Sequence, residues 1–291
     1  MKKVITIIFI TLFVIQPLFA EEINITPDNM VQSTYFGHAV SIYGDYAIVG
    51  ARNDIDKGPS TPGAAYFFKR QGTSWIQEQK IFGSGAQGGD RFGHAVSIYG
   101  IYAVVGAIYA DENNERSSGA IYIFKLEGNK WIQKQKLTAT NPQQDDYFGS
   151  SVSIYENYLI VGAYYKSGGT GSAYIFKNDG NTWVLKKKLT ANDTGQMDYF
   201  DYAVSIYGEY AAVASRANSR PGGVYIFKKI GNEWTQQIKL TAFDGKTNDY
   251  FGDSVSLHDN YLIVGARNND SSKGAAYIFK KKENSWIHKA K

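Results

Sequence analysis

With 291 residues, 15% of them aromatic, 30 glycines and only 6 prolines, the chain combines the apolar content of a folded domain with the turn content of many short strands, which excludes disorder. Its 31 basic residues against 27 acidic ones give a net charge of +4, too weak a field to support nucleic-acid or anionic-membrane binding. No cysteine is present, so disulfides and thiol chemistry are excluded and stability must come from packing alone.

The chain opens on Met1-Lys2-Lys3, an apolar run to Phe19, and Ala20 before Glu21-Glu22, the layout of a secretory signal cut after a small residue. The run is short and contains Pro17, which argues against a retained anchor. Residues 1–20 are expected to be removed. That leaves residues 21–291 as one domain with 29 basic and 27 acidic residues, no membrane span, and a place in the periplasm, at the cell surface or in the medium.

Five copies of one pattern follow: YFGHAVSIYGDYAIVGA, RFGHAVSIYGIYAVVGA, YFGSSVSIYENYLIVGA, YFDYAVSIYGEYAAVAS and YFGDSVSLHDNYLIVGA. Their phenylalanines, Phe36, Phe92, Phe148, Phe200 and Phe251, are 56, 56, 52 and 51 residues apart. A period of this length predicts one supersecondary unit stacked on its neighbours, because a single unit cannot bury its own apolar faces. Within a copy the first strand alternates (His38 to Tyr43), a two-residue hairpin such as Gly44-Asp45 follows, and the second strand (Tyr46 to Ala51) is apolar enough to be covered on both faces. The third strand reads GAAYFFK, GAIYIFK, GSAYIFK, GGVYIFK or GAAYIFK, and the fourth begins at Trp75, Trp131, Trp183, Trp234 or Trp286. One tryptophan per copy in an identical slot predicts packing between sheets rather than a ligand platform, and the repeated Tyr46, Tyr102, Tyr158, Tyr210 and Tyr261 are read in the same way.

Each internal fourth strand ends on an apolar residue 11 positions before the next phenylalanine, and Ile25 stands at the same distance before Phe36. Lys291 lies one residue short of that slot. The pattern therefore predicts an all-β, five-bladed β-propeller of four-stranded antiparallel blades, closed by pairing of residues 21–26 with 286–291.

In such blades the hairpins emerge on one side and the variable connections on the other: residues 52–63, 108–119, 164–171, 216–222 and 267–274, with the links between blades. Loops on a rigid scaffold are where recognition resides, so this is the expected binding face. Arg52, Arg216 and Arg267 directly follow the Gly-Ala step or its equivalent, with Ile108 and Tyr164 in the other two copies. An arginine fork there can clamp a carboxylate, sulfate or sugar hydroxyls, or it can satisfy loop carbonyls. Asp90, Asp146, Asp198 and Asp249 stand two before the phenylalanine, with Thr34 in the first copy; they are read as acceptors of turn N–H groups, and as the cation ligands if a cation is held at all. His38, His94, His258 and His288 form no short metal-ligand spacing. Asp201, in the slot of the repeat glycine, and Asp253 are the only carboxylates on the innermost strands, and a glycosidase would need two facing one bond.

The Phe-Gly and Gly-Ala steps flanking a hairpin resemble the FG-GAP repeat, the unit of the integrin α-subunit propeller and of many exported bacterial proteins, and the resemblance covers nearly all of residues 21–291. It implies a propeller that recognises proteins or glycans outside the cell. Integrin-type propellers have more blades than the five found here, and their cation-binding repeats carry an acidic Asp-x-Asp-x-Asp-Gly loop where this chain has only two-residue turns. No cofactor or metal is therefore expected. The chain reads as a non-catalytic recognition module for a glycan or protein, with a propeller glycoside hydrolase as the alternative.

Overall fold

The Tyr-x-x-Val-Gly and Ala-Tyr-x-Phe-Lys segments carry β-branched and aromatic residues at consecutive positions, and in the computed structural model those of the first three copies are strands buried on both faces. The structure describes residues 23–28, 34–54, 61–180, 182–193, 195–218, 220–283 and 285–291; the expected signal, residues 1–20, lies outside them. Blade 1 comprises β1 (Phe36–Tyr43), β2 (Tyr46–Ala51), β3 (Ala64–Gln71) and β4 (Ser74–Ile81). Blade 2 comprises β5 (Phe92–Tyr99), β6 (Tyr102–Ala107), β7 (Ala120–Glu127) and β8 (Lys130–Leu137). Blade 3 comprises β9 (Val152–Tyr155), β10 (Tyr158–Gly162), β11 (Ala173–Asn178) and β12 (Trp183–Leu189). Blade 4 comprises β13 (Phe200–Tyr207), β14 (Tyr210–Ser215), β15 (Gly223–Ile230) and β16 (Glu233–Leu240). Blade 5 comprises β17 (Phe251–His258), β18 (Tyr261–Ala266), β19 (Ala275–Lys282) and β20 (Ser285–Ala290). Each is an antiparallel sheet in sequential order, so the protein is all-β with five four-stranded blades.

Neighbouring blades meet backbone to backbone at the Phe-Gly and Gly-Ala steps. After Phe92 the register of β5 on β6 slips, and Gly93 sits at φ 92°, so the strand bends toward the preceding blade. A Cβ on Gly50 would lie 2.1 Å from the Gly93 carbonyl oxygen, and one on Gly106 equally close to that of Gly149. The junctions around blade 4 keep one glycine of each pair: Gly162 faces Asp201, and Gly252 faces Ala214.

Side chains repeat the same logic. The Ser41 hydroxyl accepts the Ile98 N–H at 3.1 Å, and Ser97, Ser153 and Ser205 do the same for Ile154, Ile206 and Leu257. Trp131 lies edge-on to Tyr46 and stacks on Phe67 at 4.2 Å; Trp183, Trp234 and Trp286 meet Tyr102, Tyr158 and Tyr210 in turn. Four of the five tryptophans and their tyrosine partners are therefore inter-blade packing, as their fixed slot predicts, while Trp75 packs beside the cluster of its own blade.

The expected closure by strand pairing is not made among the described residues. Residues 23–28 contain no strand, and β20 pairs with β19 alone. Ile25 packs instead in the cluster of blade 1, with Phe36, Tyr66 and Phe68, the place that Ile81 takes beside Phe92, Tyr122 and Phe124 of blade 2. The spacing expected Ile25 to complete the last blade's fourth strand; its side chain takes the matching slot against blade 1 without its backbone joining the last sheet.

Candidate functional site

The connections between β2 and β3, and their equivalents, meet the links that enter the following blade, so both sets share one face. The Asp145 N–H bonds the Arg116 carbonyl at 2.9 Å, and the Tyr199 N–H bonds that of Gly169 at 2.9 Å. The opposite face carries the hairpins, where Arg70 pairs with Asp45 at 2.6 Å.

On the loop face the four aspartates act as turn acceptors. Asp90, Asp146, Asp198 and Asp249 each take the N–H three residues earlier, from Gln87, Gln143, Gly195 and Lys246, at 2.5–2.9 Å. Asp146 is also held by the buried Lys166 ammonium at 2.5 Å, and Asp198 by Arg220. Burial pushes the Asp90 and Asp146 carboxyls up, with these bonds opposing it. Among the described residues no cluster of three or more His, Asp or Glu is arranged to hold a metal. Thermal melts in calcium and in chelator are expected to coincide within about a degree, since a cation that binds only the folded state would raise the midpoint. A rise of several degrees in calcium would move attention back to these four aspartates.

Two adjoining cavities open on the same face. One, of about 420 Å³, is lined by His38, Arg52, Arg91, His94, Tyr109 and Tyr164 among others. The second, of about 440 Å³, is lined by Tyr147, Tyr164, Tyr165, Tyr199, Tyr202 and Arg216. Tyr164 and Tyr202 line both, so the two form one basin across blades 1 to 4. Its arginines lie over tyrosine rings: Arg52 over Tyr35 at 5.2 Å, Arg91 over Tyr109 at 4.4 Å, and Arg216 over Tyr250 at 4.0 Å and over Tyr202 at 4.8 Å; Arg267, outside the basin lining, lies over Tyr250 at 5.3 Å. Tyr147, Tyr164 and Tyr202 continue the aromatic floor with centroids 5.4 and 5.7 Å apart.

The basin is electropositive. Asp253 is shared between Arg216 and Arg267, at 3.7 and 3.6 Å, while no carboxylate pairs with Arg52 or Arg91 among the described residues. The imidazoles of His38 and His94 meet beside them with centroids 4.9 Å apart and planes tilted by 51°. Burial, reinforced by His38, Arg52 and Arg91, pushes His94 down to about 3, and burial with the same two arginines lowers His38. Both are therefore neutral at physiological pH, leaving the guanidinium groups as the fixed charges.

Arg52, Tyr164, Arg216 and Arg267 are thus all brought to one face, and the first three line the basin. Sequence reasoning missed the residue before each Phe-Gly step: Tyr35, Arg91, Tyr147, Tyr199 and Tyr250. All five take φ between 47° and 57°, and each carbonyl accepts the N–H three residues on, at 3.0–3.1 Å. The signal was present in the Tyr-Phe or Arg-Phe opening of each copy, but it reads there as repeat scaffold. Tyr109, Tyr165 and Tyr202 had no sequence signal, being single departures from the repeat.

The two innermost carboxylates do not form a catalytic pair. Asp201 has no exposed surface, and its carboxyl accepts the Ala163 N–H, whereas Asp253 is neutralised by two arginines. A glycosidase acid must reach the leaving oxygen, and a side chain sealed between blades 3 and 4 cannot.

A family model described as FG-GAP repeat matches residues 19–68, 75–124, 131–176, 183–227 and 234–279. No curated protein sequence matches the chain significantly. Among solved structures, the chain is similar to a Bacteroides uniformis protein provisionally described as a 6-phosphogluconolactonase, with 11% identity and a TM-score of 0.60, over 87% of this chain and 70% of that one. At that identity the likeness shows the fold alone.

Proposed function

The chain belongs to the FG-GAP repeat family, and we propose that it is a non-catalytic, exported recognition module that binds acidic glycans through the arginine–tyrosine basin of its loop face. The observation that carries this reading is the pairing of flat aromatic rings with arginines that have no carboxylate partner among the described residues, at Arg52 and Arg91. Tyrosine faces suit the C–H surface of a sugar ring, and a guanidinium fork suits a carboxylate or sulfate on it. The buried Asp201 removes the support for a hydrolase, and a fold shared with a lactonase at 11% identity supplies no catalytic residue. Export rests on the amino-terminal sequence alone, a basic start, a short apolar run and Ala20 before Glu21-Glu22.

A glycan array probed with the purified protein is expected to retain uronate or sulfate-bearing saccharides over neutral ones. Each of Arg52→Ala and Arg91→Ala should weaken binding by roughly 10- to 100-fold, the range for a hydrogen bond to a charged group. Arg70→Ala, on the opposite face, should leave it unchanged. Binding that ignores the two arginines, or that prefers neutral sugars, would overturn the assignment. A blank array, with the same arginines needed for a protein ligand, would leave the face and change the ligand.

A further inference from the structure

The wall between consecutive blades is built four times from the same parts, and each half of it is also displayed once without its counterpart. On blade 1, Val40 and Ile42 are 69% and 64% exposed, whereas Val96, Val204, Ile98, Ile154, Ile206 and Leu257 in the same slots are at most 8% exposed. On blade 5, Ile263 is 44% exposed, whereas Ile48, Val104, Ile160 and Ala212 are fully buried. Gly37 has nothing within 4 Å of where its Cβ would stand, although Gly93 in the same slot packs on a neighbouring backbone.

The directional contacts stop at the same places. The serine series ends at Ser256, exposed and without a hydrogen-bond partner among the described residues. An aromatic ladder runs from Tyr43 through Tyr99, Tyr155 and Tyr207 to His258, with centroids 4.4–4.9 Å apart, and its two ends do not meet. Tyr261, the counterpart of the tyrosines that meet a tryptophan, is 45% exposed. Apolar side chains, an unused acceptor and a ring edge on blade 5 therefore match the unused half of the same interface on blade 1. The four internal junctions thus show the complete interface, of which blade 1 and blade 5 each present one exposed half.

We propose that each open face is filled by its complement from a second copy of this chain, blade 5 of one molecule receiving β1 of the next. The interface is heterologous, and it continues the one already made at four places within the chain. It places the Ser256 hydroxyl at the Ile42 N–H of the neighbour and His258 against its Tyr43. Arg267 then meets the neighbour's Tyr35, as Arg216 meets Tyr250 within the chain, so the basin extends across the junction. This inference does not depend on which ligand the basin holds.

Two surface variants test it, because both side chains are exposed and neither substitution enters the core. Ile42→Lys disables only the blade 1 face, and Ile263→Lys only the blade 5 face. In sedimentation velocity the parent is expected to associate with rising concentration, each variant alone to stay monomeric, and an equimolar mixture to stop at a dimer joined through the two intact faces. In a second measurement Tyr43→Cys and His258→Cys, made in separate differently tagged proteins and also together in one chain, should be joined between molecules by a short bismaleimide; the parent has no cysteine to compete. A parent that stays monomeric, a variant mixture that does not dimerise, or cross-linking confined to one chain carrying both cysteines overturns the proposal. The last result would identify closure within a single molecule.

Discussion

Replacing Gly106 by alanine is expected to lower the melting midpoint by roughly 6–12 °C. The added methyl would stand 2.1 Å from the Gly149 carbonyl oxygen and 3.1 Å from its carbon, and both belong to the backbone of the next blade. A flexible side chain could yield, but this contact lies where Gly149 bonds back to Gly162 at 2.8 Å, so relief requires the two blades to separate. Overpacking a well-filled interface costs about 1–3 kcal/mol, and a rigid backbone partner places this case at or above the upper end. At about 2–4 °C per kcal/mol for a domain of this size, the stated range follows. Gly100→Asn is the control. Gly100 has open space around it and φ 58°, and Glu156 and Asp259 occupy the same hairpin slot at φ 51° without strain elsewhere. Its midpoint should move by no more than about 2 °C. Equal effects for the two substitutions would mean that the Gly-Ala step acts through conformational freedom and not through close approach.

This distinction explains how much of the molecule was legible in sequence. Blade count, strand order, hairpin positions and the role of the tryptophans follow from a period, because each repeat answers the same physical problem and so shows the same residues. The aspartates before the Phe-Gly step were legible for the same reason: a short turn needs an acceptor for its N–H groups, and four of five copies supply one. The basin was only partly legible. Arg52, Arg216 and Arg267 stood out against Ile108 and Tyr164, yet Arg91 and the tyrosines before the Phe-Gly step were hidden inside the repeat signature. Their left-handed backbone aims them at the shared mouth, and no one-dimensional pattern reports that aim. Strand pairing of residues 23–28 did not follow from Ile25, because an apolar residue at the correct spacing fixes which side chains it meets, not which backbone it pairs with.

Asp201 is where the repeat is broken most sharply, and it should make stability fall with rising pH. It holds φ 77° in a slot where Gly37, Gly93, Gly149 and Gly252 take 86–97°, and it is completely buried against Gly162. Burial pushes its carboxyl well above the ordinary 3.8, outweighing the opposing N–H groups of Ala163 and Ser172 and the charge of Lys188. Its second oxygen has no hydrogen-bond partner among the described residues. The folded protein therefore keeps a proton that the unfolded chain has lost over the interval from the unfolded value up to the raised folded one. Where the native state binds more protons, stability declines as pH rises. The contribution is complete below pH 3.8 and is lost progressively above it, by about 1.4 kcal/mol per pH unit inside the interval. Asp201→Asn cannot titrate and should lack this term. The difference in melting midpoint, variant minus parent, should then grow with pH by about 3–5 °C per unit through the interval and become constant above it. Histidines cannot imitate this, because His94 stays neutral in the folded state down to about pH 3 in both proteins and cancels in the difference. A difference that is flat from pH 4 upward would show that Asp201 is ionised in the folded state, with its charge held by Lys188 and the N–H groups around it.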